Sequence, residues 1–150
     1  NNQLIDVGLK YYPTEDFWSA ELLYEDFESF TDKVIPTNSS VYDHISYDSE
    51  GEREFAMSLE KSNSVILYSK LPAKFVINTP LGSYNPDWAI VINKEEGKKL
   101  YLVRETKFGK EILENLRPSE VQKIKCGEKH FAAIDVDFKV STNQGLKDLI

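Results

Sequence analysis

Pro86-Asp87-Trp88-Ala89-Ile90-Val91-Ile92-Asn93-Lys94-Glu95-Glu96-Gly97-Lys98-Lys99-Leu100-Tyr101-Leu102-Val103-Arg104-Glu105-Thr106-Lys107 reads as one strand folded back on another. Residues 88–92 are almost wholly apolar, which suits a strand buried on both faces in the middle of a sheet. Residues 94–98, with Gly97, predict a hairpin loop, and residues 99–107 the returning strand. A loop centred on Glu96 sets Asp87 directly opposite Glu105. Opposed side chains sit roughly 5 Å apart at Cβ, and two carboxylates held that close repel unless a cation lies between them. A hard, oxygen-loving ion such as Mg²⁺, or Mn²⁺ in its place, is the simplest resolution. Lys107 lies two residues beyond Glu105, so strand alternation puts its ammonium on the carboxylate's face, while Thr106 points the other way.

That trio suits hydrolysis of a phosphodiester. A carboxylate-held Mg²⁺ polarises the phosphoryl oxygen and acidifies an attacking water; a lysine orients that water or offsets the charge of the transition state. Asp87, Glu105 and Lys107 are therefore the candidate catalytic residues, with Asp87 and Glu105 as metal ligands. Glu52, on a preceding helix, is a candidate third ligand to the metal or its water. Glu54 sits about 200° round that helix from Glu52, so one site faces only one of them. A Glu and a Lys two apart on a strand also fit a solvated surface pair, and it is the opposed aspartate that favours chemistry.

Outward from the hairpin, Ser49 followed by Glu52 is a capping-box pattern, and Phe55, Ala56 and Leu59 continue at helical spacing, so a helix is expected over 50–61. Residues 65–69 and 75–78 read as strands, with a turn at 80–83. Downstream, a helix is expected over 119–134, weakened by Gly127, then a strand over 136–140 and a terminal helix over 143–150. Residues 4–12 and 17–30 suggest a short strand and a helix, with a connector over 36–48. The order of elements argues for an α/β layered domain with a mixed β-sheet flanked by helices.

Charge is unevenly spread. The net of −7 looks wrong for a chain that handles DNA, because neutralising phosphates takes Lys and Arg. Residues 1–60, however, hold 14 acidic and 3 basic side chains, and residues 61–150 hold 11 acidic and 15 basic. The half carrying the motif is mildly basic, and Lys110, Arg117, Lys123 and Lys125 are the candidate phosphate contacts; they equally fit a solvated face. Trp88 reads as a core aromatic, Cys126 as a small buried hydrophobe and His130 as a structural hydrogen-bonding group. The single cysteine excludes an internal disulfide, and with two histidines offers no structural-zinc spacing. With neither an apolar run long enough to span a bilayer nor a secretory leader, a cytoplasmic location is the default expectation.

Pro86-Asp87, 17 intervening residues and Glu105-Thr106-Lys107 match the PD-(D/E)XK nuclease pattern. The longer text is more specific: Lys70-Leu71-Pro72, Thr79-Pro80-Leu81-Gly82, Tyr84-Asn85-Pro86-Asp87-Trp88-Ala89, Arg104-Glu105-Thr106-Lys107 and Lys123-Ile124-Lys125-Cys126-Gly127. With these, residues 41–140 resemble the C-terminal endonuclease domain of the Res subunit of type III restriction-modification enzymes. The resemblance implies a restriction-endonuclease-like fold and Mg²⁺-dependent cleavage of double-stranded DNA. It also implies an ATP-dependent helicase-like motor domain ahead of the nuclease and a partner modification (methyltransferase) subunit. No glycine loop ending in Gly-Lys-Ser/Thr occurs here, so ATP use is expected of a motor outside this sequence, in keeping with a chain that opens on Asn1. Residues 1–48 are then an acidic, aromatic segment packed on or leading into a nuclease core at 49–150. The competing expectations are a non-catalytic subunit-docking or DNA-binding module, and a nuclease of the same fold acting on RNA or single strands.

Overall fold

The computed structural model describes residues 33–94, 99–106 and 116–141. Within them the order is β1 (Val34–Pro36), β2 (His44–Ser46), α1 (Glu50–Glu60), β3 (Val65–Lys70), β4 (Ile77–Thr79), β5 (Gly82–Tyr84), β6 (Trp88–Asn93), β7 (Lys99–Thr106), α2 (Pro118–Ala133) and β8 (Asp137–Ser141). The main sheet runs β3-β6-β7-β8; β1 pairs with β2 and β4 with β5 in two small ribbons. β3, β6 and β7 pair antiparallel, whereas β7 and β8 are parallel, which a chain achieves only through a crossover such as α2. The sheet is therefore mixed and helix-flanked, as the order of elements predicts.

Each helix is set by its N-terminus and one apolar stripe. Ser49 Oγ accepts from Glu52 N at 3.2 Å, satisfying one donor left over at the start of α1, and Glu52 Oε2 accepts from Asp48 N, just ahead of the cap, at 2.8 Å. α1 then buries Phe55, Ala56 and Leu59. At α2, Pro118 stands in the first turn, where its missing N–H costs nothing, and Glu120 Oε2 accepts from Arg117 N at 3.0 Å. Asp135, just past α2, takes φ +58°, the left-handed exit that a short polar side chain tolerates.

The sheet divides two cores. On one face Phe55, Ala56 and Leu59 of α1 meet Tyr68, Trp88, Ile90 and Ile92, with Ile45 of β2 closing the cluster. On the other, Ile124 and Phe131 of α2 meet Val103 of β7 and the β4–β5 ribbon through Ile77 and Tyr84. Burial along β6 alternates: Trp88, Ile90 and Ile92 are buried, while Ala89 and Val91 are half-buried. The expectation of a strand covered on both faces is thus corrected, because the α2 layer closes over this strand less completely than α1 does. Two further departures lie in short segments. Residues 34–46, read as part of an acidic segment and connector, form the β1–β2 ribbon, held by the burial of Ile45. The turn at 80–83 is the tip of a second ribbon in which Ile77 pairs with Tyr84. Three-residue strands carry too little periodicity to show in sequence. The expected elements at 4–12, 17–30 and 143–150 lie outside the described residues.

Candidate metal centre at the end of the hairpin

The β6–β7 register is the one a loop centred on Glu96 requires, with Trp88 opposite Arg104 and Asn93 opposite Lys99. One step beyond the last pair, Asp87 stands opposite Glu105. Strand alternation puts Glu105 on the face of Val103, the side closed by α2 and the β4–β5 ribbon, and away from α1. The backbone at Asp87 is pinned from the other side as well, since Leu71 N, at the end of β3, donates to Asp87 O at 2.8 Å.

Each carboxylate has one oxygen held by neutral donors. Glu105 is 5 % exposed, and its Oε2 accepts from the Tyr84 hydroxyl at 2.7 Å. Asp87 Oδ2 accepts from Thr106 N at 2.6 Å and from Thr106 Oγ1 at 2.7 Å. Thr106 Oγ1 in turn accepts from Trp88 Nε1 at 3.3 Å. Burial, reinforced by the carboxylates of Glu105, Asp87 and Glu128, holds the Tyr84 phenol far above its ordinary range, so it stays protonated and donates. These bonds stabilise the charged carboxylates and fix their orientation at the sheet's end.

Two residues that sequence reading did not count as functional shape this site. Thr106, read as facing away, does share Trp88's side of the sheet through its hydroxyl, yet it is also the clamp on Asp87. Tyr84 enters from a ribbon outside the main sheet. The only signal for it was its place in the Tyr84-Asn85-Pro86-Asp87 text, since hydrogen bonding across 21 positions leaves no periodic trace.

Glu52 goes elsewhere. Its Oε2 meets Lys70 Nζ at 2.8 Å, a lysine that also reaches Asp48 at 2.7 Å. Lys70 pairs with Trp88 and so shares its α1 face, the face opposite Glu105. Burial works against the Lys70 charge, but the two carboxylates outweigh it and lift its pKa. Among the described residues no three His, Cys, Asp or Glu side chains gather as a metal cage, and Glu52 Oε2 is engaged by Lys70 Nζ and Asp48 N. Of the other candidates, Lys107 and Lys110 lie outside the described residues. Lys123 Nζ donates to Ser83 O at 3.1 Å, which draws its charge onto the β5 ribbon beside Tyr84, while Arg117 and Lys125 are exposed. Cys126 and Trp88 are fully buried, in keeping with core roles, and burial pulls the His130 pKa down.

The donor set fits a hard divalent cation. Two carboxylates, opposed across a strand pair and oriented by their own hydrogen bonds, are the usual protein share for Mg²⁺, which keeps several waters and takes further oxygens from phosphate. Asp87 and Glu105 would hold it.

A helix-flanked mixed sheet with opposed acids at the end of its central hairpin defines a nuclease-like architecture, and comparison with known proteins agrees. The chain belongs to the endonuclease-domain family, whose model matches residues 38–144. It is 32 % identical over 125 residues, 81 % of its length, to the Type III restriction-modification enzyme EcoP15I Res subunit of Escherichia coli. To the EcoPI Res subunit of Escherichia phage P1 it is 33 % identical over 108 residues, 70 % of its length. The chain spans only 13 % and 11 % of those two relatives. No solved structure matches it. No helix among the described residues is long and apolar enough to cross a membrane.

Proposed function

We propose that this chain is the cleavage domain of a type III restriction enzyme, hydrolysing phosphodiester bonds of double-stranded DNA with a divalent cation held by Asp87 and Glu105. The observation that supports the reading is the β6–β7 register, Trp88 opposite Arg104, whose continuation by one step brings Asp87 opposite Glu105 in a chain of the endonuclease-domain family. Mg²⁺, or Mn²⁺ in its place, supplies Lewis-acid activation of the phosphate and of water when bound. Thr106 and Tyr84 keep the two carboxylates aimed. The Lys107 ammonium, next in the sequence after Thr106, serves to orient the attacking water or to offset charge on the phosphate. The likeness to Res subunits supports a working context in which an ATP-dependent motor domain and a methyltransferase subunit supply translocation and site recognition. That division of labour also accommodates a net charge of −7, because most DNA affinity then resides outside these residues.

The test is Asp87→Ala and, separately, Lys107→Ala in the assembled enzyme, measured as cleavage of double-stranded DNA alongside DNA binding. Both are expected to abolish cleavage and leave binding in place. Cleavage retained by either variant refutes the assignment.

A further inference from the structure

Tyr84 reaches the candidate metal centre by an unusual route. It ends β5, in a ribbon hydrogen-bonded apart from the main sheet, and its ring is 6 % exposed. Phe138 of β8 meets it edge-on, with ring centroids 6.3 Å apart and planes at 74°. On α2 it lies against Gly127 so closely that a Cβ built there would sit 2.5 Å from Tyr84 Cε1 and 3.1 Å from Cδ1. The helix thus gives up a side chain at one position so that a phenol fits beside it. The outcome of that fit is a 2.7 Å hydrogen bond between two buried groups, Tyr84 O–H and Glu105 Oε2.

We propose that Tyr84, seated in the recess left by Gly127, is the positioning residue of Glu105: it occupies one carboxylate oxygen, so that Glu105 meets a divalent cation through a single oxygen. This rests on the nuclease reading above and deepens it. The chemical consequence is selectivity. Mg²⁺ and Mn²⁺ accept single-oxygen carboxylate ligands in a compact octahedral set, whereas Ca²⁺ readily takes both oxygens of a carboxylate and a larger shell. With Oε2 committed to the phenol, a small cation is favoured. Thr106 does the corresponding work on Asp87 Oδ2.

The experiment measures binding of Mn²⁺ and of Ca²⁺ alone, by calorimetry on the full-length protein, for Tyr84→Phe, which keeps the ring packing and removes only the hydroxyl. Mn²⁺ binding is expected to weaken about tenfold or more, the usual effect of losing a group that orients a metal ligand. The ratio of Ca²⁺ to Mn²⁺ affinity is expected to rise, a change that general loosening of the fold would not produce. Gly127→Ala, which displaces the ring but keeps the hydroxyl, is expected to shift the ratio in the same direction. Asp87→Ala and Glu105→Gln are the references. If they abolish Mn²⁺ binding while Tyr84→Phe leaves both the affinity and the ratio as in the parent, the positioning role is refuted and the metal site stands. If they too leave Mn²⁺ binding intact, the metal site falls, and the role of Tyr84 with it.

Discussion

Replacing Gly127 with alanine tests the packing around the candidate site through the sign of the effect. In an ordinary helix interior this change is favourable, by about 1 kcal/mol, because alanine restricts the unfolded chain and suits the helix. Here the new methyl would stand 2.5 Å from Tyr84 Cε1, a separation that real carbon atoms do not adopt. The ring has little room to yield, since Phe138 flanks it and its hydroxyl is bonded to Glu105. Overpacking of this kind costs about 1–3 kcal/mol. Tilting the ring also loosens a hydrogen bond to a charged group, of a class that contributes about 1.5–3 kcal/mol. Set against the helix gain of about 1 kcal/mol, these two losses leave a net expectation of about 1.5–5 kcal/mol of destabilisation. In urea, with a slope of about 1–3 kcal/mol per molar, that lowers the unfolding midpoint by roughly 1–2 M at unchanged slope. A paired measurement isolates the cause: in a Tyr84→Ala background the same glycine replacement has room, and its stabilising sign should return. A Gly127→Ala protein that unfolds at a higher urea concentration than the parent would show that Tyr84 does not occupy the recess.

Thr106→Val preserves shape but removes the hydroxyl that donates to Asp87 Oδ2 and accepts from Trp88 Nε1; about 1–3 kcal/mol of destabilisation in urea is expected, absent in Thr106→Ser, and equal stability of the valine variant would refute the clamp. His130 supplies a pH dependence: burial lowers its pKa from the ordinary 6.5, so the stability tied to its neutral form is complete above that value and drains as the pH falls through the depressed folded value. His130→Gln should therefore flatten the decline in unfolding free energy between about pH 8 and about pH 5.5, and an unchanged slope would show that His130 does not contribute to it.

How much was legible in the sequence follows from the range over which each feature is encoded. α1 was readable because Ser49, Glu52, Phe55, Ala56 and Leu59 act within a few residues of one another. β6, β7 and their register were readable because a short hairpin loop leaves little choice of pairing, and the register then placed Asp87 opposite Glu105. The family resemblance, too, lay in local runs of residues. What the sequence settled alone was thus the local order: elements with their own periodicity and caps, and one pair of acids joined by a single turn.

Only the tertiary structure decided what surrounds those acids. Glu52 looked available as a ligand in the chain, but α1 packs on the face of Trp88, and there Lys70 meets it. Gly127 looked like a flaw in a helix until Tyr84, from a distant ribbon, was found against it. Thr106, assigned by alternation to the far face, bonds Asp87 because that carboxylate sits where strand pairing ends and alternation no longer confines it. The physical reason is common to all three. Hydrogen bonds and close contacts between residues far apart in the chain depend on which faces of the sheet the helices cover, and no periodicity in the sequence records that choice.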